Sequence, residues 1–124
     1  MTTDHKLGKL GEKIASDYLK KINYSIYKQN WRSGKYGEID IVALDNSTKE
    51  LVFIEVKSRS TSTDEAKELV TKKKQSQLYK LAGSYLHLFR MESRTCRFDV
   101  IAIKINNEGK QLEHIKNAFY LCRK

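Results

Sequence analysis

The chain has no proline in its 124 residues, and only two cysteines, six glycines and one tryptophan. Without proline, its turns must rest on Gly, Asn, Asp and Ser. Cys96 and Cys122 show no metal-ligand spacing, and one pair of thiols does not make a disulfide framework, so reduced thiols are expected. His5, His87 and His114 lack HxxxH or Cys/His spacing, which speaks against zinc. No apolar run approaches the roughly 20 residues that cross a bilayer. The opening MTTDHKLGKLGEK lacks the apolar segment of a signal peptide, so a cytoplasmic location is expected. Repeats, linkers and low-complexity stretches are also missing, and a chain of this length then reads as one domain over 1–124.

Positive charge, by contrast, is in excess. Twenty-four Lys and Arg against 15 Asp and Glu give a net charge of +9. A surplus of that size in a small domain suits a polyanionic partner, nucleic acid first, although basic pI alone leaves that reading about even with a merely well-solvated basic surface. The excess is not a tail. Lys72, Lys73 and Lys74, and the series Lys6, Lys9, Lys13, Lys20 and Lys21, all fall inside predicted helices, which suits a folded binding face.

Hydrophobic periodicity orders the elements. Leu7, Leu10, Ile14, Tyr18 and Ile22 recur at three- and four-residue steps and predict a helix over about 4–22. YSIYKQNW alternates as a strand, with Tyr24 and Ile26 on one face and Ser25 and Tyr27 on the other. RSGKYG is a turn into the strand EIDIVAL, and DNSTKE is a turn into a third strand over Leu51–Lys57. Ser62-Thr63-Asp64-Glu65 has capping-box spacing for a short helix, and Thr71 restarts a longer one to about Arg90 with Leu78, Leu81, Ala82, Tyr85 and Leu88 or Phe89 on its apolar face. RFDVIAIKI, the turn NNEG and QLEHIKNAFY complete the chain as two more strands. The order α, βββ, α, ββ predicts an α/β fold, a mixed sheet with helices packed on it.

Two of these strands carry acids where apolar residues should be. In GEIDIVA the acid is Asp40; in FIEVK it is Glu55, followed by Lys57. Burying an ionised carboxylate is costly unless a partner or a metal compensates it. Strand alternation places Phe53, Glu55 and Lys57 on one face and Val52, Ile54 and Val56 on the other, with Glu55 and Lys57 about 6–7 Å apart. Asp40 becomes their neighbour across the hairpin. Two carboxylates and an ammonium at one end of a sheet can hold Mg²⁺ through oxygen ligands, with the Lys orienting water or stabilising charge on a phosphate. A Glu55–Lys57 surface ion pair is the plainer alternative. Glu12, beside Gly8 and Gly11 at the margin of the helical stripe, is balanced on spacing alone between a third site acid and a solvated helix acid. Small residues there would let the helix approach the sheet. Glu38 reads as a turn-end acid, although it shares a strand face with Asp40. Asp99, beside Arg97, reads as an internal ion-pair or hydrogen-bonding residue.

The blocks GxxGE in the first helix, GEIDIVA, FIEVKSR, RFDVIAI and LEHIKNAF resemble, in order and nearly end to end, the YraN-like family of small bacterial proteins. That family is similar to archaeal Holliday-junction resolvases within the PD-(D/E)XK nuclease superfamily. The resemblance implies a restriction-endonuclease-like core and a metal site of Glu12, Asp40, Glu55 and Lys57, with Glu12, Asp40 and Glu55 ligating Mg²⁺ or Mn²⁺. The expected function is a metal-dependent DNA endonuclease hydrolysing phosphodiester bonds, with branched or otherwise structured DNA as candidate substrates. Arg32, Lys35, Arg59, Lys72, Lys73 and Lys74 are the expected phosphate contacts, and DNA is expected before RNA. Resolvase-like enzymes cut symmetric junctions as dimers, which adds a homodimer to the expectations. The alternative is a catalytically weak or inactive nucleic-acid-binding module that kept the nuclease fold.

Overall fold

The structure is a computed structural model that describes residues 4–119; Cys122 lies outside them, as do the side chains of His5 and Lys35. Helix α1 spans Asp4–Lys21, and strands β1, β2 and β3 span Tyr24–Arg32, Glu38–Asp45 and Glu50–Arg59. Helices α2 (Thr63–Glu68) and α3 (Lys72–Leu88) then lead to β4 (Cys96–Asn106) and β5 (Gly109–Phe119). The five strands form one sheet in the order β1-β2-β3-β4-β5. All neighbours are antiparallel except β3 and β4, which run parallel and are joined through α2 and α3. The predicted turn RSGKYG contains a single 3₁₀ turn over Gly34–Tyr36.

Side-chain alternation along β3 sorts the core into two layers. Val52, Ile54 and Val56 pack with Ala15 and Leu19 of α1 on one face. Leu51 and Phe53 pack with Leu78, Leu81, Ala82 and Tyr85 of α3 on the other. A strand apolar on both faces needs cover on both, and the two helices supply it. Of the apolar face predicted for α3, Leu88 and Phe89 prove exposed. Both α2 and α3 start on side-chain caps. The Ser62 Oγ accepts from the Glu65 amide at 3.0 Å, and the Thr71 Oγ1 accepts from the Lys74 amide at 3.2 Å.

Helix α1 departs from its predicted stripe. Leu10 is 45% exposed, whereas Leu7, Ala15 and Leu19 are buried and Ile14, Tyr18 and Ile22 flank them. The face that meets the sheet is therefore centred on Gly11 and Ala15, and the approach is close. A Cβ on Gly11 would lie 1.9 Å from the Ser58 Oγ, while one on Gly8 would meet nothing within 4 Å. Only Gly11 answers the expectation that glycine lets α1 near the sheet. Strand β1 also slips its simple alternation, because a bulge between Ile26 and Lys28 shifts its register on β2.

A buried charge network closes the end of the sheet where β2 finishes and β4 begins. The Arg97 guanidinium donates to Asp99 (2.9 and 3.2 Å), Asp45 (3.0 Å), Glu50 (2.6 Å), Thr48 Oγ1 (3.3 Å) and the Tyr24 hydroxyl (2.6 Å). Asp99, fully buried, also meets His114 Nε2 at 2.8 Å and accepts from the Asn117 amide at 3.0 Å. Burial alone would raise the Asp99 carboxyl, but its bonds to His114, Arg97 and the Asn117 amide outweigh that and hold it below the usual range. Asp99 is thus an internal ion-pair residue, as its place beside Arg97 suggested.

The charge network and the packing of α1 generate three expectations for stability. Arg97→Met should cost about 3–5 kcal/mol in urea denaturation, because it strands three carboxylates that are buried or half-buried. Gly8→Ala should gain about 0.5–1 kcal/mol of helix stability. Gly11→Ala should instead lose about 1–3 kcal/mol, since Ser58 must yield to the new methyl group. Equal melting temperatures for the two glycine variants would contradict the close approach of α1.

Candidate functional site

The site begins where a ladder ends. The β2–β3 pairing stops at Ile41 opposite Ile54, and from there the Val56 amide donates to the Asp40 Oδ2 at 2.8 Å instead of to a backbone carbonyl. Asp40 thus bonds to β3 through its side chain at the point where the strands part. The inside–outside alternation of β2 slips here too. Ile41 and Ala43 face the α1 layer, yet Ile39, also odd-numbered, joins Val42 in the α3 layer.

The gap becomes a pocket of about 370 Å³, bordered among others by Glu12, Glu38, Asp40, Glu55, Lys57, Arg59 and Lys74. All four residues singled out in the sequence meet there. Glu55, only 2% exposed, has its Oε2 at 3.3 Å from both Lys57 Nζ and Lys74 Nζ. Its Oε1 is buried and, with Ser58 Oγ, is one of two such atoms without a hydrogen-bond partner among the described residues. Glu12 comes from α1 and is held by Asn30, whose Nδ2 donates to its Oε1 at 3.0 Å. Glu38, read from sequence as a turn-end acid, offers a carboxylate oxygen that lies with one from Glu12 and one from Asp40 inside a mutual distance of 4.8 Å.

Asp40 carries the electrostatic cost of this gathering. Burial, then the neighbouring Glu55 carboxylate, push its carboxyl up to about 8; the Val56 amide pulls the other way, and Glu12 adds a smaller upward push. The donor set suits a hard divalent cation: carboxylate oxygens, clustered, with a buried and unpartnered Glu55 oxygen beside them.

The expected phosphate contacts distribute around this pocket unevenly. Arg59 and Lys74 border it. Arg32 is exposed at the end of β1 and lies 3.6 Å from Glu38. Lys72 and Lys73 are exposed in the first turn of α3, which contains no acid. Cations at a helix N-terminus oppose the helix dipole, so that turn concentrates positive potential rather than relieving it. Lys35 falls in the 3₁₀ turn, its side chain outside the described part. Trp31, next to Arg32 at the end of β1, packs edge-on against Tyr85 with its ring centroid 5.2 Å away and joins the α3 layer of the core. Lys74 is the residue whose second contact was not legible. Its reach to Glu55 follows from the Thr71 cap, which sets the first turn of α3 over the pocket.

A mixed five-stranded sheet with α1 on one face and α3 on the other, and acids gathered where β2 and β3 part, is an α/β domain consistent with a restriction-endonuclease-like core. Residues 11–103 match the Uncharacterised protein family UPF0102, and the chain belongs to that family. It is 43% identical to the UPF0102 protein of Syntrophus aciditrophicus, over 98% of this chain and 94% of the relative. It is 44% identical to that of Geotalea daltonii, over 94% and 91%. A UPF0102 protein of Bacteroides fragilis is 41% identical over 97% of each chain. No helix among the described residues is long and apolar enough to cross a membrane.

The raised Asp40 carboxyl fixes a sign for pH dependence. An acid whose folded value exceeds its unfolded one binds its proton more tightly when folded. It therefore stabilises the fold fully below about pH 4 and loses that contribution as pH rises to about 8. In chelator-treated protein, the melting temperature of wild type should fall relative to Asp40→Asn between pH 5 and 8. A constant difference across that window would contradict the electrostatic reading of the pocket.

Proposed function

We propose that the chain is a metal-dependent DNA endonuclease domain that hydrolyses phosphodiester bonds, with branched or otherwise structured DNA as the candidate substrate. The observation that supports this most is one pocket bordered by Glu12, Asp40, Glu55 and Lys57 in a chain of net charge +9. Glu12, Asp40 and Glu55 would hold Mg²⁺ or Mn²⁺, which when bound supplies Lewis-acid charge beside a phosphate. Lys57, in ion-pair distance of Glu55, would orient the attacking water through its Nζ and offset charge on the phosphoryl oxygens. Asp40, fixed by the Val56 amide, presents its remaining oxygen lone pairs to the pocket in one orientation. Arg59, Arg32, Lys72, Lys73 and Lys74 would bind the flanking backbone, and the acid-free first turn of α3 adds its dipole to that surface. Lys35 keeps its place in this set on sequence position alone.

A second reading, a binding module with the nuclease fold and little turnover, draws on the two ammoniums already paired with the Glu55 Oε2. A carboxylate neutralised from within the chain needs a metal less.

Cleavage of branched, flapped and linear DNA with Mg²⁺ or Mn²⁺ separates the two. Wild type should cut, and Lys57→Ala should lose roughly 100-fold or more in rate while keeping DNA binding and a Mn²⁺-induced rise in melting temperature. Asp40→Asn should lose both cleavage and that rise. Binding should weaken roughly 1,000-fold from 50 to 200 mM salt if about six phosphates are contacted. Salt-sensitive binding without any cleavage would transfer the conclusion to the binding module. Absence of binding at low salt would overturn the DNA reading altogether.

A further inference from the structure

We propose that Glu38 is itself a ligand of the divalent cation, closing a three-carboxylate subsite with Glu12 and Asp40. The inference rests on the metal-dependent reading above and changes its ligand set. Among the described residues, the acids that each bring one carboxylate oxygen within 4.8 Å of the others are Glu12, Glu38 and Asp40, and Glu55 is not among them. Glu55 has one oxygen engaged by Lys57 and Lys74, so only its buried, unpartnered Oε1 is left to face a cation. Glu55 lines the same pocket, and its orphaned oxygen is a second, independent sign that a positive partner is missing beside the cluster.

Glu38 is also held where a ligand needs to be. It opens β2 directly after Gly37, whose φ of 110° suits glycine, and its register opposite Arg32 of β1 fixes its height two residues before Asp40. Glu12 arrives from α1 and is oriented by Asn30. The three acids therefore come from two elements pinned independently to the sheet. The partner Glu38 has in the structure is Arg32, at 3.6 Å and with a side chain 70% exposed. A contact of that length and exposure is weak and can be exchanged for a cation. The exchange would also release Arg32 toward a phosphate at the rim of the pocket. Three carboxylates match a hard divalent cation that retains some of its own waters.

Titration of the full chain with MnCl₂, followed by calorimetry and by loss of the free Mn²⁺ electron-spin-resonance signal, tests the assignment. Glu38→Gln should weaken Mn²⁺ binding at least about 10-fold, the lower end of what is lost even for residues that only support a ligand. Glu38→Asp, which keeps the charge and shortens the reach, should fall between the two and guards against a folding defect in the amide variant. Arg32→Ala should bind Mn²⁺ as tightly as wild type or more tightly. Glu38→Gln within twofold of wild type overturns the role of Glu38 and leaves the metal-dependent reading standing. Wild type that takes up no Mn²⁺ overturns both.

Discussion

The hydrogen bond from the Val56 amide to the Asp40 carboxylate is the contact on which the rest of the site depends. Where two antiparallel strands separate, each leaves amides and carbonyls that need partners. Asp40 answers that need with its side chain and in doing so is fixed, nearly buried, at the base of the opening. Glu55 is brought next to it by the last paired residues, Ile41 and Ile54. Glu12 reaches the same opening only because α1 lies close on the sheet at Gly11. Remove the side-chain bond and the strands must either zip further, closing the pocket, or leave a buried amide unpaired.

The sheet buries charge in two places and treats them differently. At the Arg97 end, one guanidinium and one histidine meet three acids, and each of these carboxylates has a donor. At the Asp40 end, four acids share three paired cations, Arg32, Lys57 and Lys74, and a Glu55 oxygen is left without a partner. The first arrangement is closed and structural. The second keeps a net demand for positive charge inside a protein whose surface is strongly basic, which is the combination a cation and a phosphate backbone can satisfy together.

Much of this was legible in the sequence because it is local. Period-two alternation in FIEVK separated Val52, Ile54 and Val56 from Phe53, Glu55 and Lys57, and the two core layers follow that division. The caps at Ser62 and Thr71 also follow from adjacent residues. What escaped depends on residues distant in the chain. Leu10 fits the helical stripe but is exposed, because the face of α1 that meets Ser58 is set by the sheet. Alternation already puts Glu38 on the strand face of Asp40, but its place in an acid cluster depends on α1 bringing Glu12 to the same spot, which no local pattern reveals. Lys74 looked like one more basic residue in a run of three; only the packing of α3 over β3 aims it at Glu55.

The single parallel pair has a kinetic meaning. Asp40 and Glu55 belong to one hairpin, which can form early from near neighbours, whereas β4 must return across the whole segment from Leu51 to Cys96 to lie beside β3. Closing so long a loop before its contacts compensate is slow. A chain without proline has no prolyl isomerisation to limit it instead. The crossover then becomes the late event of folding, and it carries Lys74. Asp40, Glu55 and Lys57 are assembled first, and Lys74, the second ammonium on Glu55, arrives with the crossover.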